Sequence, residues 1–129
     1  MMEIVFPDFL QLISSNLKAG ITIDKAIVIS SRKEFSPLDE QINQFGRDIV
    51  TGKPVEIAMK EMSIRINSEK ISKTINLIIT GMRSGGNLAT LLEQTSANLK
   101  ERQYVEKRAA SNIIMYIILI LYFRFYSLC

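Results

Sequence analysis

The sequence predicts an all-α fold: an antiparallel six-helix bundle whose last helix extends into a C-terminal transmembrane segment. Three observations carry this. Apolar residues recur three and four apart along most of the chain, and no stretch sustains the period-two alternation of a half-buried strand. The stop and start signals between these runs stand close together, which suits antiparallel neighbours. Fifteen residues, from Ala109 to Phe123, carry no charge at all. With 129 residues, 47% hydrophobic and 22% charged, the chain is one domain with enough apolar surface for a real core. The helical domain is expected over 6–108 and the transmembrane segment over 109–129. A span that stops at the last residue reads as truncated, a piece of a longer membrane protein.

The first helix is predicted from Pro7 to Ala19. Phe6, Leu10, Ile13 and Leu17 lie at helical spacing, with Phe9 and Leu12 widening the stripe. Pro7 and Asp8 suit a first turn, and Gly20 suits the stop. Thr22 is the expected cap of a short second helix, Ile23 to about Ser31. Its apolar residues Ala26, Ile27, Val28 and Ile29 face more than one side and predict thorough burial. Ser31 to Phe35 reads as a loop. Ser36 at the cap, Pro37 in the first turn, and Asp39 and Glu40 at the positive dipole end open the third helix. Its stripe is Leu38, Ile42, Phe45 and Ile49, with Gly46 marking the close approach of a neighbour, and Gly52 closes it. Pro54 opens the fourth helix, with Val55, Ala58, Met59 and Met62 on one face. The fifth runs from about Ser68 to Arg83, capped by Asn67 or Ser68, with Ile71, Ile75, Ile78 and Met82 as its stripe; Ile64, Ile66, Leu77 and Ile79 add to it. Gly85 and Gly86 form the structural turn into a last helix that starts at Asn87 and shows Leu88, Leu91, Leu92, Thr95 and Leu99.

The residue inventory excludes most chemistry. There is no histidine and one cysteine, Cys129, so no imidazole base, Cys/His zinc site or disulfide framework is available. The N-terminus lacks the basic and long apolar regions of a secretory signal. Net charge is +3 with pI about 9.1, and no Lys/Arg block exceeds two residues, too scattered to argue for nucleic acid. Gly46 to Lys53 superficially looks like a phosphate-binding loop. However, five residues separate its glycines where four are needed, and Pro54 stands where a magnesium-binding hydroxyl belongs. The Ser84-Gly85-Gly86-Asn87 turn could present backbone N–H groups to an anion, but a tight interhelical turn accounts for it. Asp39, Glu40, Asp48, Glu56 and Glu61 are dispersed, and the six methionines sit mainly at stripe positions as core filler. The expectation is a non-enzyme with no catalytic residue, cofactor or metal.

The tail from Ala109 onward has 21 residues, roughly 31 Å at about 1.5 Å each, against a bilayer core about 30 Å thick. Tyr116, Tyr122 and Tyr126 suit the membrane interface, and Arg124 can snorkel toward a headgroup. Lys100, Arg102, Lys107 and Arg108 precede the apolar run against Glu101 and Glu106. The positive-inside tendency therefore places that flank, and the domain with it, in the cytoplasm. The plainer reading of Ile113 to Leu121, a buried core helix, would overload so small a core.

Three ordered stretches carry a family resemblance: Phe9-Leu10 … Leu17-Lys18-Ala19-Gly20-Ile21-Thr22-Ile23 … Lys25-Ala26; Thr51-Gly52-Lys53-Pro54-Val55-Glu56-Ile57-Ala58; and Gly81-Met82-Arg83-Ser84-Gly85-Gly86-Asn87-Leu88 … Leu91-Leu92. Over roughly residues 6 to 121 the chain resembles the type II secretion system F-protein domain, with its tight-adherence and archaeal pilus members nearest in look. The resemblance implies a cytoplasmic six-helix bundle joined to membrane helices. It implies a non-catalytic inner-membrane platform of a type II secretion, type IV pilus or archaellum machine, in which a hexameric secretion ATPase is coupled to pilin-like subunits and the platform forms homo-oligomers. On that reading Arg47, Lys53, Lys60, Arg65 and Arg83 are candidates for docking the ATPase; for each, an ordinary solvated face is the plainer account. Met82 and Arg83 depart from the acidic residue that many relatives carry after the matching glycine. The chain also has one copy of the domain and no preceding span. The alternative is a small helical regulatory module binding nucleic acid, resting on the +3 charge and the helix–turn–helix-like pair from Pro7 to Ser31.

Overall fold

The structure, a computed structural model, describes residues 2–127. Leu128 and Cys129, the last two positions of the predicted 109–129 segment, lie outside that range. Among the described residues there are six α-helices and no strand: α1 (Met2–Lys18), α2 (Ile23–Ile29), α3 (Leu38–Val50), α4 (Val55–Ile66), α5 (Glu69–Ser84) and α6 (Leu88–Ser127). A single 3₁₀ turn, Lys33–Phe35, lies between α2 and α3. Two compact units divide the chain, one up to Ala97 and one from Asn98, and α6 contributes to both.

In the first unit consecutive helices pack on each other, α1 on α2, α2 on α3, α3 on α4 and α4 on α5, and α1 also meets α5. The predicted stripes form the core: Phe6, Phe9, Leu10 and Ile13 from α1, Leu38, Ile42 and Phe45 from α3, and Met59 and Met62 from α4 are buried. Ile71, Ile75 and Ile78 from α5 join them, with Leu92 from α6. Each fully buried side chain of this size contributes about 1.5–3 kcal/mol.

Several local expectations are corrected. α1 starts at Met2, so Pro7 lies inside the helix and not in its first turn. The loop read over 31–35 contains the 3₁₀ turn, which exists to bury Phe35 edge-on against Phe9 at a ring separation of 6.2 Å. Ser36 does not cap α3; Pro37 occupies the cap position and no side chain caps that end. Thr22 sits at the cap of α2 but makes no capping bond there, its hydroxyl binding the Asp24 carboxylate instead. Ile64 and Ile66 belong to α4, Ile64 being exposed, and Leu77 is half exposed. The second helix is buried on one side only: Ala26 and Ile27 point inward while Val28 and Ile29 are exposed.

Other signals hold. Ser68 caps α5 by accepting the Ile71 N–H; the last helix starts one residue later than expected, at Leu88, with Asn87 capping it by accepting the Thr90 N–H at 3.2 Å. α3 ends in a Schellman pair, Gly52 N–H to the Ile49 carbonyl and Lys53 N–H to the Asp48 carbonyl, with Gly52 at φ +96°. The close approach predicted at Gly46 is to α2, where an added Cβ would lie 3.4 Å from a Val28 methyl.

The turn into α6 separates two glycines that look equivalent in sequence. Gly85 is left-handed at φ +69°, whereas Gly86 has no such angle and an added Cβ there meets nothing closer than 3.7 Å. Backbone strain on substitution therefore resides at Gly85. Gly81 matters for a different reason: a Cβ there would lie 2.9 Å from Leu91 and 3.2 Å from Leu88, so the missing side chain is what lets the start of α6 settle on α5.

The root of α6 is also fastened to α1. Ser14 Oγ donates to the Ala89 carbonyl and Ser96 Oγ to the Pro7 carbonyl, both at 2.7 Å, and Lys18 pairs with Glu93. Seven residues separate the two serine contacts on each helix and the order is reversed, which defines an antiparallel pair in register over two turns.

Two outcomes follow from this arrangement. Gly85→Ala should lower unfolding stability by about 1 kcal/mol through left-handed strain, while Gly86→Ala changes it by less than about 0.5 kcal/mol, read by denaturation in mild detergent. Gly81→Leu should overpack the seat of α6 at a cost of about 1–3 kcal/mol and raise hydrogen exchange of the Leu88–Ser96 amides.

Candidate docking surface

The five cations singled out from the sequence all lie on α3, α4, α5 and the turn between α3 and α4, but their environments differ. Arg83, near the end of α5, forks onto Glu56 in the first turn of α4, with Nη2 to Oε2 at 2.7 Å and Nε to both carboxylate oxygens at 3.2 Å. Lys53 donates to Glu61 and stands 3.8 Å from Asp48. Arg65 donates to the side-chain oxygen of Gln41 at 2.9 Å, joining the end of α4 to the start of α3. These three groups are engaged within the bundle.

Arg47 donates at 2.9 Å to the neutral amide oxygen of Gln44, whose NH₂ in turn binds the nearly buried Asp48 carboxylate at 3.0 Å. Its positive charge has no carboxylate partner among the described residues. Lys60 is exposed on α4, and its charge acts on Glu56 one turn earlier. The surface predicted as one cationic patch is thus largely a set of interhelical clasps, with Arg47 and Lys60 left to face solvent.

The electrostatics agree with the geometry. Hydrogen bonding from Arg83 holds the Glu56 carboxyl below its ordinary 4.5, and the same contact raises the Arg83 guanidinium. The hydrogen bond to Glu61 raises the Lys53 ammonium above its usual range. The Thr22 hydroxyl, with backbone N–H groups behind it, lowers Asp24.

Beside Arg47 lies a feature the sequence did not reveal. An open groove of about 910 Å³ runs between α2 and α3, walled by Ile21, Val28, Ile29, Ile49 and Val50 and floored at Gly46. Lys25, Asp24 and Arg47 stand at its rim. The missed signal is the second apolar edge of α2: Val28 and Ile29 extend beyond the inward-facing pair Ala26 and Ile27, and although α2 packs on both α1 and α3 they stay partly exposed.

The second unit consists of the rest of α6. Lys100, Arg102, Lys107 and Arg108 are all exposed on it, and every large apolar residue from Ile113 to Tyr126 is more than half exposed. Water does not tolerate so long an unburied apolar run, and the helix is long and apolar enough to cross a membrane. Lysines and arginines balance aspartates and glutamates at eleven each up to Ala97, so the entire +3 excess falls on residues 98–129. The helix pair from Pro7 to Ser31 carries Lys18 and Lys25 against Asp8 and Asp24, so it has no basic excess of its own.

The Glu56–Arg83 clasp predicts a pH dependence. Because folding depresses the Glu56 pKa, its stabilisation is present above pH 4.5 and is lost as pH falls through the folded value. The stability difference between the native chain and Glu56→Gln should therefore shrink in acid, checked by denaturation from pH 7 down to pH 3.

A sequence model of the family described as Type II secretion system (T2SS), protein F, matches residues 9–123. No curated protein and no solved structure matches the chain. The match begins in the buried half of α1, takes in the clasped helices and the Gly81 seat, and ends near the far end of the apolar run of α6; the chain belongs to the type II secretion system protein F family.

Proposed function

We propose that this chain acts as a membrane platform subunit that couples a cytoplasmic secretion ATPase to the assembly of pilin-like subunits, with its bundle on the cytoplasmic side. Membership of the family supports a membrane platform of a secretion or pilus machine at the inner membrane. The observation that carries the coupling is α6: one uninterrupted helix is hydrogen-bonded to α1 near its start and is exposed and apolar over its second half. An event at the bundle that shifts α1 or α5 acts directly on the helix that enters the membrane.

The basic flank, Lys100, Arg102, Lys107 and Arg108, supports the cytoplasmic orientation through the positive-inside tendency. Of the candidate docking cations, Arg47 and Lys60 are the better placed, since Lys53, Arg65 and Arg83 would have to break existing contacts to bind a partner. The tight-adherence and archaeal pilus branches are the proposed affiliation, and homo-oligomers the proposed assembly. No enzymatic role is proposed.

Two measurements test the reading. The chain should remain in the membrane on alkaline carbonate extraction, and a cysteine placed at Lys60 should be labelled only from the cytoplasmic side. Co-purification with the ATPase of the same machine should weaken on Arg47→Glu with Lys60→Glu, by about tenfold if two charge contacts of about 0.7 kcal/mol each are lost. Retention unchanged by both reversals would remove these cations from the docking surface.

A further inference from the structure

We infer that the groove between α2 and α3 is a docking site for a short amphipathic helix of a protein partner, one whose apolar ridge is flanked by carboxylates. The apolar lining is the first argument. Val50 is 87% exposed, Ile29 48% and Val28 38%, and together with Ile21 and Ile49 they line one groove rather than standing as scattered surface residues. The second argument is shape. From Asn43 to Thr51 the α3 side runs roughly 12 Å at about 1.5 Å per residue, which accepts two turns of a helix presenting residues i, i+3, i+4 and i+7. Gly46 keeps the floor low between the two walls.

Charge selects the occupant. Lys25 and Arg47 stand at the rim; Arg47 donates to the neutral amide of Gln44, and Lys25 acts through its charge on the neighbouring Asp24. The one rim carboxylate, Asp24, is already bonded to Thr22 and to backbone N–H groups. The rim therefore carries two positive charges, Lys25 and Arg47, against the one negative charge of Asp24, a net positive rim inside a bundle that is neutral overall. Acidic residues flanking an apolar ridge complement this arrangement, and basic ones oppose it. A stable dimer of the chain with itself needs about 800 Å² from each partner, far more than these few side chains present. A helix that binds and leaves is the fitting partner. Its source in the cytoplasmic ATPase rests on the function proposed above; the groove chemistry does not.

The test uses the full chain in mild-detergent micelles with isotopically labelled Ile and Val methyl groups. The probes are a synthetic 14-residue helix bearing leucines at the ridge positions flanked by glutamates, and its twin with lysines in place of the glutamates. The acidic helix should shift the Val28, Ile29, Ile49 and Val50 methyls and bind about tenfold more tightly than its twin. The Lys25→Glu, Arg47→Glu double variant should reverse that preference. Val50→Asp, a change at an exposed site, should abolish binding while leaving the helical spectrum unchanged. Equal binding of both helices, shifts confined to other methyls, or concentration-dependent groove shifts without any peptide would each overturn the proposal. Purified ATPase of the same machine should shift the same methyls. ATPase bound without groove shifts removes the ATPase as the source, and ATPase that does not bind at all counts against the platform function while the two peptides decide the groove.

Discussion

The antiparallel pairing of α1 with the root of α6 is the constraint on which the rest of the structure depends. Two serine hydroxyls, Ser14 and Ser96, reach across to backbone carbonyls at Ala89 and Pro7, and both serines are buried. A buried hydroxyl without a partner costs about 1–3 kcal/mol, so the pair tolerates one register and penalises its neighbours. Apolar side chains alone would let two helices slide by a residue with little loss. The hydroxyls fix which residues of the long helix belong to the bundle, and therefore where its free portion begins.

Gly81 supplies the other half of that seat. Leu88 and Leu91 occupy the space a side chain there would fill, which brings the first turn of α6 down onto α5 just after the chain reverses at Gly85. The reversal and the close approach use two glycines for different physical reasons, one for a backbone angle and one for volume. Asn87 then satisfies an N–H at the start of α6, so the helix begins in a polar turn and meets apolar packing within four residues.

Much of this was legible in the residues. Stripes at three and four, Gly20 and Gly52 as stops, Ser68 as a cap, a last helix starting at Asn87 to within one residue, and the uncharged run from Ala109 all correspond to what the chain does. The failures share a cause. Ser36 and Thr22 carry the right side chains for capping, but capping needs a hydroxyl aimed at a particular N–H, and neither makes that bond here. Phe35 looks like a loop residue until Phe9 gives it a partner across the core. Arg83 and Lys53 look like free cations until a second helix brings Glu56 and Glu61 alongside. In each case the deciding neighbour is distant in sequence or set by an angle that composition does not carry. The groove beside α2 was hidden by the opposite error, since Val28 and Ile29 were assigned to the core, whereas α1 and α3 together cover only the side that carries Ala26 and Ile27.

The distribution of charge separates the tasks of the two halves of the chain. A bundle with equal numbers of acids and bases exerts little long-range field, and Lys18, Lys53, Lys73 and Arg83 are closed in ion pairs within it. The residual positive charge is concentrated in α6, in four cations before the apolar run and in Arg124 within its second half. Against an anionic membrane surface each such cation is worth about 1 kcal/mol near the headgroups and fades within about 10 Å. The net positive charge is therefore carried on residues other than those that tie the bundle together. The ion pairs that join the helices and the cations beside the apolar run thus lie on separate stretches of the chain, so a substitution at one set leaves the charge of the other as it was.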